Sequence, residues 1–427
     1  MDASGLAPFD VAAILILLAA ALGYANHRFL KLPSAVGLTL MGAISSLAII
    51  GIGAAFPAWG LRPMVEQFLA GIDFHATLME GMLSFLLFAG ALHVDWTQMQ
   101  ANRLLVFSLA TFGVLLSTAL IGAGTWWLAG MAGVPVPLSW ALVFGALISP
   151  TDPVAVMAIL KRAAVPPSLQ ATVAGESLFN DGVGVVIFGI LIAIATGAEQ
   201  FSLVHAASDF AREAGGGVAF GLVTGWIACR AMETIDDYSV EVMISLALVM
   251  AGYSFAHALH VSGPVAMAVA GLFIGNAGMA RAMSDTTADY LVKFWELIDE
   301  VLNAVLFLLI GLEVILISGQ MRLMVFGLAV IPLGLLARWL SVSIPLRLLR
   351  SGIDLGHLAT PTLVWGGLRG GISIALALSL PATAARTPLI AATFMVVLFS
   401  VIIQGGSIGG LINRLGQKSA APGEDAA

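Results

Sequence analysis

The chain is a succession of apolar runs, each about as long as a helix needs to cross a bilayer. A spanning helix takes roughly 20 residues. Thirteen candidates bounded by Pro, Gly or charge lie at 9–25, 33–53, 78–94, 104–130, 138–161, 169–197, 214–232, 238–259, 262–278, 295–318, 321–349, 358–380 and 387–412. In hydrocarbon every backbone amide must be bonded within the protein, which leaves helices and closed barrels. These runs are continuous, whereas barrel strands alternate apolar and polar residues, so they read as helices. Of 427 residues 59% are hydrophobic and 10% charged, against about 25% charge in a soluble domain. Nucleic-acid binding, soluble metabolic chemistry and disulfide scaffolds are thereby excluded. Cys229 is the single cysteine; it rules out an intrachain disulfide or a Cys-x-x-Cys site and reads as a small buried apolar residue.

An odd number of spans puts the termini on opposite sides, and Lys and Arg decide which side is which. One set of alternate loops holds Arg28, Lys31, Arg103, Lys161, Arg162, Arg230, Arg281, Arg347, Arg350, Arg414 and Lys418; the other holds Arg62, Arg212, Arg322 and Arg386. Eleven against four is a positive-inside bias, which places the N-terminus outside and the C-terminus in the cytoplasm. The first run lacks the basic flank of a cleaved signal peptide and is expected to be retained. Gly217, Gly221 and Gly225 form a small-xxx-small ladder suited to close helix packing. The seven histidines, His27, His75, His93, His205, His257, His260 and His357, read as solvated groups in or near loops and are assigned no role.

Several charges fall inside the runs, where each costs about 2.5–3.5 kcal/mol at a helix centre. Lys293, Glu296, Asp299 and Glu300 are expected to be solvated at the start of the tenth run, with Glu313 at the opposite interface. Asp152, Glu176, Asp181, Arg338 and Arg369 need partners or a function. Asp152 lies in Ser149-Pro150-Thr151-Asp152-Pro153, whose prolines strip the carbonyls of Ala146 and Ser149 of their helical partners. A break is predicted there. Freed carbonyls beside a carboxylate and a Thr hydroxyl are hard oxygen ligands suited to a small alkali cation; a simple kink with Asp152 paired to a neighbour is the alternative.

The sixth run contains Gly175-Glu176-Ser177-Leu178-Phe179-Asn180-Asp181-Gly182-Val183-Gly184. Ser177 and Asp181 share one helix face, Glu176 and Asn180 the adjacent one. Gly182 and Gly184 remove bulk beside Asp181. A carboxylate in so low a dielectric favours keeping either a proton or a cation over standing bare, unless an arginine neutralises it permanently. The twelfth run carries Trp365-Gly366-Gly367-Leu368-Arg369-Gly370-Gly371, four glycines that weaken a helix by about 1 kcal/mol each. Arg369 there would oppose exposed carbonyl ends. Interrupted helices at matching places in the two halves of a chain point to a transporter's midplane site. These residues leave open whether Glu176 pairs with Arg338 or with Arg369.

At these motifs the sequence resembles sodium/proton antiporters of the NhaP and NHE type. The resemblance rests on Thr151-Asp152-Pro153, Gly175-Glu176-Ser177 with Asn180-Asp181, Phe307 with Gly311-Leu312, Ala337-Arg338, and Gly366-Gly367-Leu368-Arg369-Gly370. It implies an all-α polytopic fold of about thirteen transmembrane helices, forming one transporter domain over 1–427. Inverted six-helix repeats over 9–197 and 238–412, a linking helix at 214–232 and a short cytoplasmic tail at 413–427 would make up that domain, with crossing fifth and twelfth helices. It also implies a homodimer in the cytoplasmic (inner) membrane and alternating access to one cation site.

By that pattern Asp181, Asp152, Ser177 and Thr151 would hold Na+, with Asn180 in place of a second aspartate marking electroneutral one-for-one exchange. Glu176 and Arg338 would form a structural ion pair, and Arg369 would compensate the crossed helices. The third run, with Phe88-Ala89-Gly90-Ala91-Leu92, lacks an acid that some relatives carry. The expected function is exchange of Na+ or Li+ for H+ with no cofactor and no enzymatic activity. Its partners would be monovalent cations, protons and the lipid bilayer; the alternatives are K+/H+ exchange on the same fold or a cation channel.

Overall fold

The computed structural model describes residues 8–70, 82–153, 156–157, 160, 165–198, 202–317, 321–349, 355–356 and 358–420. Lys161, Arg162, Arg350, His75, His357 and the start of the 78–94 run lie outside the described residues, as does the segment 421–427. Among the described residues the protein is helical, and the extended pairing is one antiparallel bridge between Asp152 and Leu368. Every expected run carries helix. Among the described residues eight helices are long and apolar enough to cross a membrane: Phe9–Leu30, Ser34–Ala55, Arg103–Ala132, Pro167–Ala195, Tyr238–Ala258, Gly263–Arg281, Arg322–Leu348 and Arg386–Leu415. Shorter apolar helices are Leu83–Leu92 and Leu138–Ile148.

Local chemistry sets many of the starts. Asp95 accepts from the Thr97 and Gln98 amides at 2.8 and 3.1 Å, Asp237 from Ser239 at 2.9 Å, and Ser284 from Thr287 at 3.3 Å. Each cap satisfies amides that a first helical turn leaves open. Because of the Ser284 cap, the helix expected at 295–318 begins earlier and spans Asp285–Leu312. The helices Leu61–Ala70, Trp96–Ala101 and Leu203–Phe210 were not signalled by continuous apolar runs, since they carry polar residues between the apolar ones. The described histidines His27, His93, His205, His257 and His260 are exposed.

Small residues and backbone carbonyls hold the helices together, as they must where lipid tails are as apolar as leucine. A side chain on Gly311 would strike the Thr39 carbonyl and stand 2.9 Å from the Gly42 Cα. Across that seam Thr39 donates to the Phe307 carbonyl at 3.1 Å and Ser46 to the Leu312 carbonyl at 2.8 Å. The glycine ladder is a packing surface: Gly217 and Gly225 face the Gly263–Arg281 helix, with the Ser262 carbonyl 2.7 Å and the Ala270 Cα 3.3 Å from where a Cβ would be. Cys229 is buried as expected, in a smaller apolar cluster with Phe88, Met267 and Trp295. The larger cluster surrounds the helix breaks. Glu313, expected at an interface, is instead buried, and its Oε2 has no partner among the described residues.

Gly311→Leu is expected to cost about 1–3 kcal/mol by overpacking the seam. It should lower the thermal unfolding midpoint of the purified protein. Gly51→Leu, where nothing lies within 4 Å of an added Cβ, should leave that midpoint unchanged.

Candidate functional site

The helix Leu138–Ile148 ends where the two prolines begin. Ser149 still donates to the Gly145 carbonyl at 3.1 Å, but Pro150 and Pro153 have no amide to continue the ladder. Beyond Ser149 the chain leaves helical geometry, and Asp152 donates its amide to the Leu368 carbonyl at 2.8 Å. Leu368 belongs to the second break, between the helices Ala359–Trp365 and Gly371–Leu378. The two interruptions therefore cross. The glycines make room for this: a side chain on Gly370 would collide with the Asp152 carboxylate, and one on Gly367 with the Arg338 guanidinium.

Helix ends inside an apolar slab leave carbonyls without partners, and Arg369 supplies them. Its Nη1 donates to the Ser149 carbonyl at 2.5 Å and to the Pro150 carbonyl at 2.9 Å. The Ser149 carbonyl is one of the two that the prolines strand; the other, Ala146, takes the Ser149 amide at 3.3 Å. Arg369 is only 4% exposed and its backbone is fixed as well, since its amide donates to Ser400 Oγ at 2.7 Å. Ser400 Oγ passes the bond to Gln404 Oε1 at 2.9 Å, and Gln404 Nε2 returns to the Trp365 carbonyl at 3.2 Å. Ser400 and Gln404 lie in a π-helical turn, Phe399–Gln404. Sequence reasoning missed both, because two uncharged polar residues four apart in an apolar run give only a faint signal.

Glu176, 1% exposed, is bound by Arg338. Nη2 donates to Oε2 at 2.8 Å, and Nη1 donates to Oε1. The same guanidinium donates from Nε and Nη2 to the Leu363 carbonyl at 3.0 and 2.8 Å. The choice that the sequence left open thus falls to Arg338. Asn180 locks the first break in place: its Nδ2 donates to Thr151 Oγ1 at 2.7 Å, and its Oδ1 accepts from the Thr151 amide at 3.2 Å. Thr151 Oγ1 stands 3.2 Å from Ser177 Oγ.

Asp181 lies one helical turn beyond Ser177, 6% exposed. Asp152, Glu176 and Arg369 are near enough for their charges to act on it. Among the described residues the buried ion pair here is Arg338 with Glu176, and Asp181 is in none. Gly184 receives the Pro150 ring, its Cδ 3.1 Å from a Cβ position, and Gly182 receives Val265. All eight residues singled out in the sequence, Thr151, Asp152, Glu176, Ser177, Asn180, Asp181, Arg338 and Arg369, meet around one helix crossing. The arrangement offers carboxylate and hydroxyl oxygens in a buried place, chemistry suited to a hard monovalent cation or a proton.

Residues 14–414 match the family described as "Sodium/hydrogen exchanger, transmembrane". The chain is 44% identical over 413 residues to the Na(+)/H(+) antiporter NhaP of Pseudomonas aeruginosa, covering 95% of this chain and 96% of that one. It is 33% identical over 414 residues to the Na(+)/H(+) antiporter NhaH of Halobacillus aidingensis, covering 94% and 97%. Its fold matches the structure of the sodium proton antiporter MjNhaP1 from Methanocaldococcus jannaschii at pH 8, with a TM-score of 0.70 and 21% identity over 94% of this chain and 97% of that one.

Removing one member of a buried ion pair strands the other, at a cost of about 3–5 kcal/mol. Arg338→Ala should therefore lower the thermal midpoint sharply in detergent, whereas Asp181→Asn, which removes a carboxylate with no ion-pair partner among the described residues, should not. Equal midpoints for the two variants would contradict the division of roles.

Proposed function

Because this chain belongs to the sodium/hydrogen exchanger family, we propose that it is a secondary active antiporter that exchanges Na+ or Li+ for H+, one for one. The observation that carries this reading is the charge balance at the crossing. Glu176 is taken by Arg338, and Arg369 is committed to two carbonyls. Three carboxylates face two guanidiniums there, which leaves one negative charge for a single monovalent cation or proton to neutralise.

In this mechanism H+ and cation compete for Asp181. Asp152, Ser177 and the hydroxyl or backbone of Thr151 complete the cation's oxygen shell, replacing the water it loses. Asn180 contributes as a fixed amide that holds Thr151; a carboxamide does not ionise, so it adds no second titrating charge. The neutralised site can pass through an apolar barrier, while a bare Asp181 is held back by the cost of a charge in a low dielectric. That asymmetry couples the two fluxes. Inverted repeats 9–197 and 238–412, a linking helix at 214–232, a homodimeric cytoplasmic-membrane protein and a cytoplasmic C-terminus complete the reading. The crossed breaks support the repeats, the distribution of Lys and Arg supports the orientation, and the homodimer rests on the family resemblance alone.

The test is cation-driven proton movement in proteoliposomes loaded with a pH-sensitive dye. Na+ or Li+ should move protons, Asp181→Asn should abolish the response, and clamping the potential with K+ and valinomycin should leave it unchanged. A response to K+ alone would keep the mechanism and change the substrate. Flux without proton coupling would replace it with a channel.

Competition also fixes the sign of the pH dependence. The protonated carboxyl cannot hold Na+, so the apparent KM for Na+ should rise as pH falls, by up to about tenfold per pH unit once protons dominate the site. The maximal rate at saturating Na+ should change less. A KM that falls toward acid pH would contradict a shared site.

A further inference from the structure

The helix Asp285–Leu312 contributes none of the residues placed at the crossing, yet it packs directly against it. Leu306 fills the space that a side chain on Gly371 would need, its Cδ2 2.5 Å from that Cβ position. The neighbouring Gly370 is filled in the same way by Asp152. Leu306 and Asp152 thus flank the restart of the second broken helix. Residues 299, 303 and 306 follow at helical steps and share one face, so Asn303 and Asp299 continue that face toward the helix's N-terminal end.

Asn303 is 6% exposed, and its side chain stands against the Asp299 carboxylate. Asp299, expected to be freely solvated, is only partly exposed, while Glu296 and Glu300 beside it are exposed. Asp299 and Asp152 are close enough for their charges to act on each other, and so are Asp152 and Asp181. The acids are graded in exposure: Glu296 and Glu300 in the open, Asp299 and Asp152 partly covered, Asp181 buried.

We propose that Asp299 and Asn303 form an outer holding place for the transported cation, on its route from the N-terminal end of the Asp285–Leu312 helix to Asp152 and Asp181. A monovalent cation entering a buried site must shed its water, and a partly covered carboxylate lets it do so in stages. Acids between low-dielectric walls also concentrate cations at the entrance. The Asn303 carboxamide, with its NH2 toward the Asp299 carboxylate, leaves its oxygen to meet the ion. In this scheme Asp299 binds the ion only on its way in and takes no part in the exchange at Asp181. The proposal rests on the antiport reading and deepens it.

The experiment is Na+-driven proton movement in everted and right-side-out membrane vesicles bearing wild type, Asp299→Asn, Asp299→Glu, Asn303→Ala and Asp181→Asn. Asp299→Asn should raise the KM for Na+ roughly three- to tenfold when Na+ is offered on the side to which that helix end opens, with the maximal rate kept. Offered from the opposite side, Na+ should show no such change. Asp299→Glu should restore most of the affinity, and Asn303→Ala should shift KM in the same direction by less. Choline chloride at about 0.5–1 M should shrink the difference between wild type and Asp299→Asn by screening.

An unchanged KM, or equal losses from both sides with a reduced maximal rate, would overturn the proposal and leave the antiport reading intact. If Asp299→Asn does not fold, Asn303→Ala decides alone, and no sided KM shift in it overturns the proposal. If wild type moves no protons, or Asp181→Asn works as well as wild type, the antiport reading fails and this proposal with it.

Discussion

One guanidinium makes it possible for this chain to leave helical geometry inside a hydrocarbon slab. Irregular backbone at membrane depth survives only where its polar groups find partners in the protein or in a watery cavity. Arg369 provides such partners from across the crossing, donating to the carbonyls of Ser149 and Pro150 while its own amide is held by Ser400. Without it, the proline-broken helix would end in bare carbonyls in low dielectric, each an unsatisfied group of high cost. The bridge between Asp152 and Leu368 then fixes the two breaks in register. Everything else at the site hangs on that crossing: Asn180 grips Thr151, Thr151 meets Ser177, and Gly370 lets Asp152 approach.

The two buried arginines solve different problems with the same chemistry. Arg338 presents its fork to a carboxylate, the geometry in which guanidinium is strongest, and spends its remaining donors on the Leu363 carbonyl. Arg369 meets only dipoles and so keeps most of its net charge available to the acids around it. The result is a site whose fixed charges nearly cancel, leaving a single carboxylate's worth of attraction. Such near-balance suits the proposed exchange, in which the ion must leave as readily as it binds.

Much of this was legible in the sequence because membrane insertion makes exceptions conspicuous. A proline pair around Asp152, an aspartate four residues beyond a serine, and an arginine among four glycines all stand out against continuous apolar runs. Each signal is local. The partner of Glu176 was not legible, since Arg338 and Arg369 are both affordable choices until the helices are packed. Ser400 and Gln404 escaped notice because neutral polar residues cost little in a span. Asp299 was misjudged for a different reason. Its exposed neighbours Lys293, Glu296 and Glu300 suggested a solvated end, but the helix starts at Asp285 and turns Asp299 and Asn303 inward. Amphipathic pieces such as Leu61–Ala70 and Leu203–Phe210 mix polar with apolar residues and so leave no unbroken apolar run in the sequence.

The polar contacts that secure the crossing also join very distant parts of the chain. Glu176 waits for a residue 162 positions later, and the Ser149 carbonyl for one 220 positions later. Synthesis proceeds from the N-terminus, so the first half enters the bilayer with its acids and broken carbonyls still lacking their arginines. Biogenesis therefore has an interval in which the most polar part of the protein is exposed to lipid or sheltered by the insertion machinery. That interval ends when the segment around Arg369 arrives, which makes the last third of the chain the step that commits the whole to its native state.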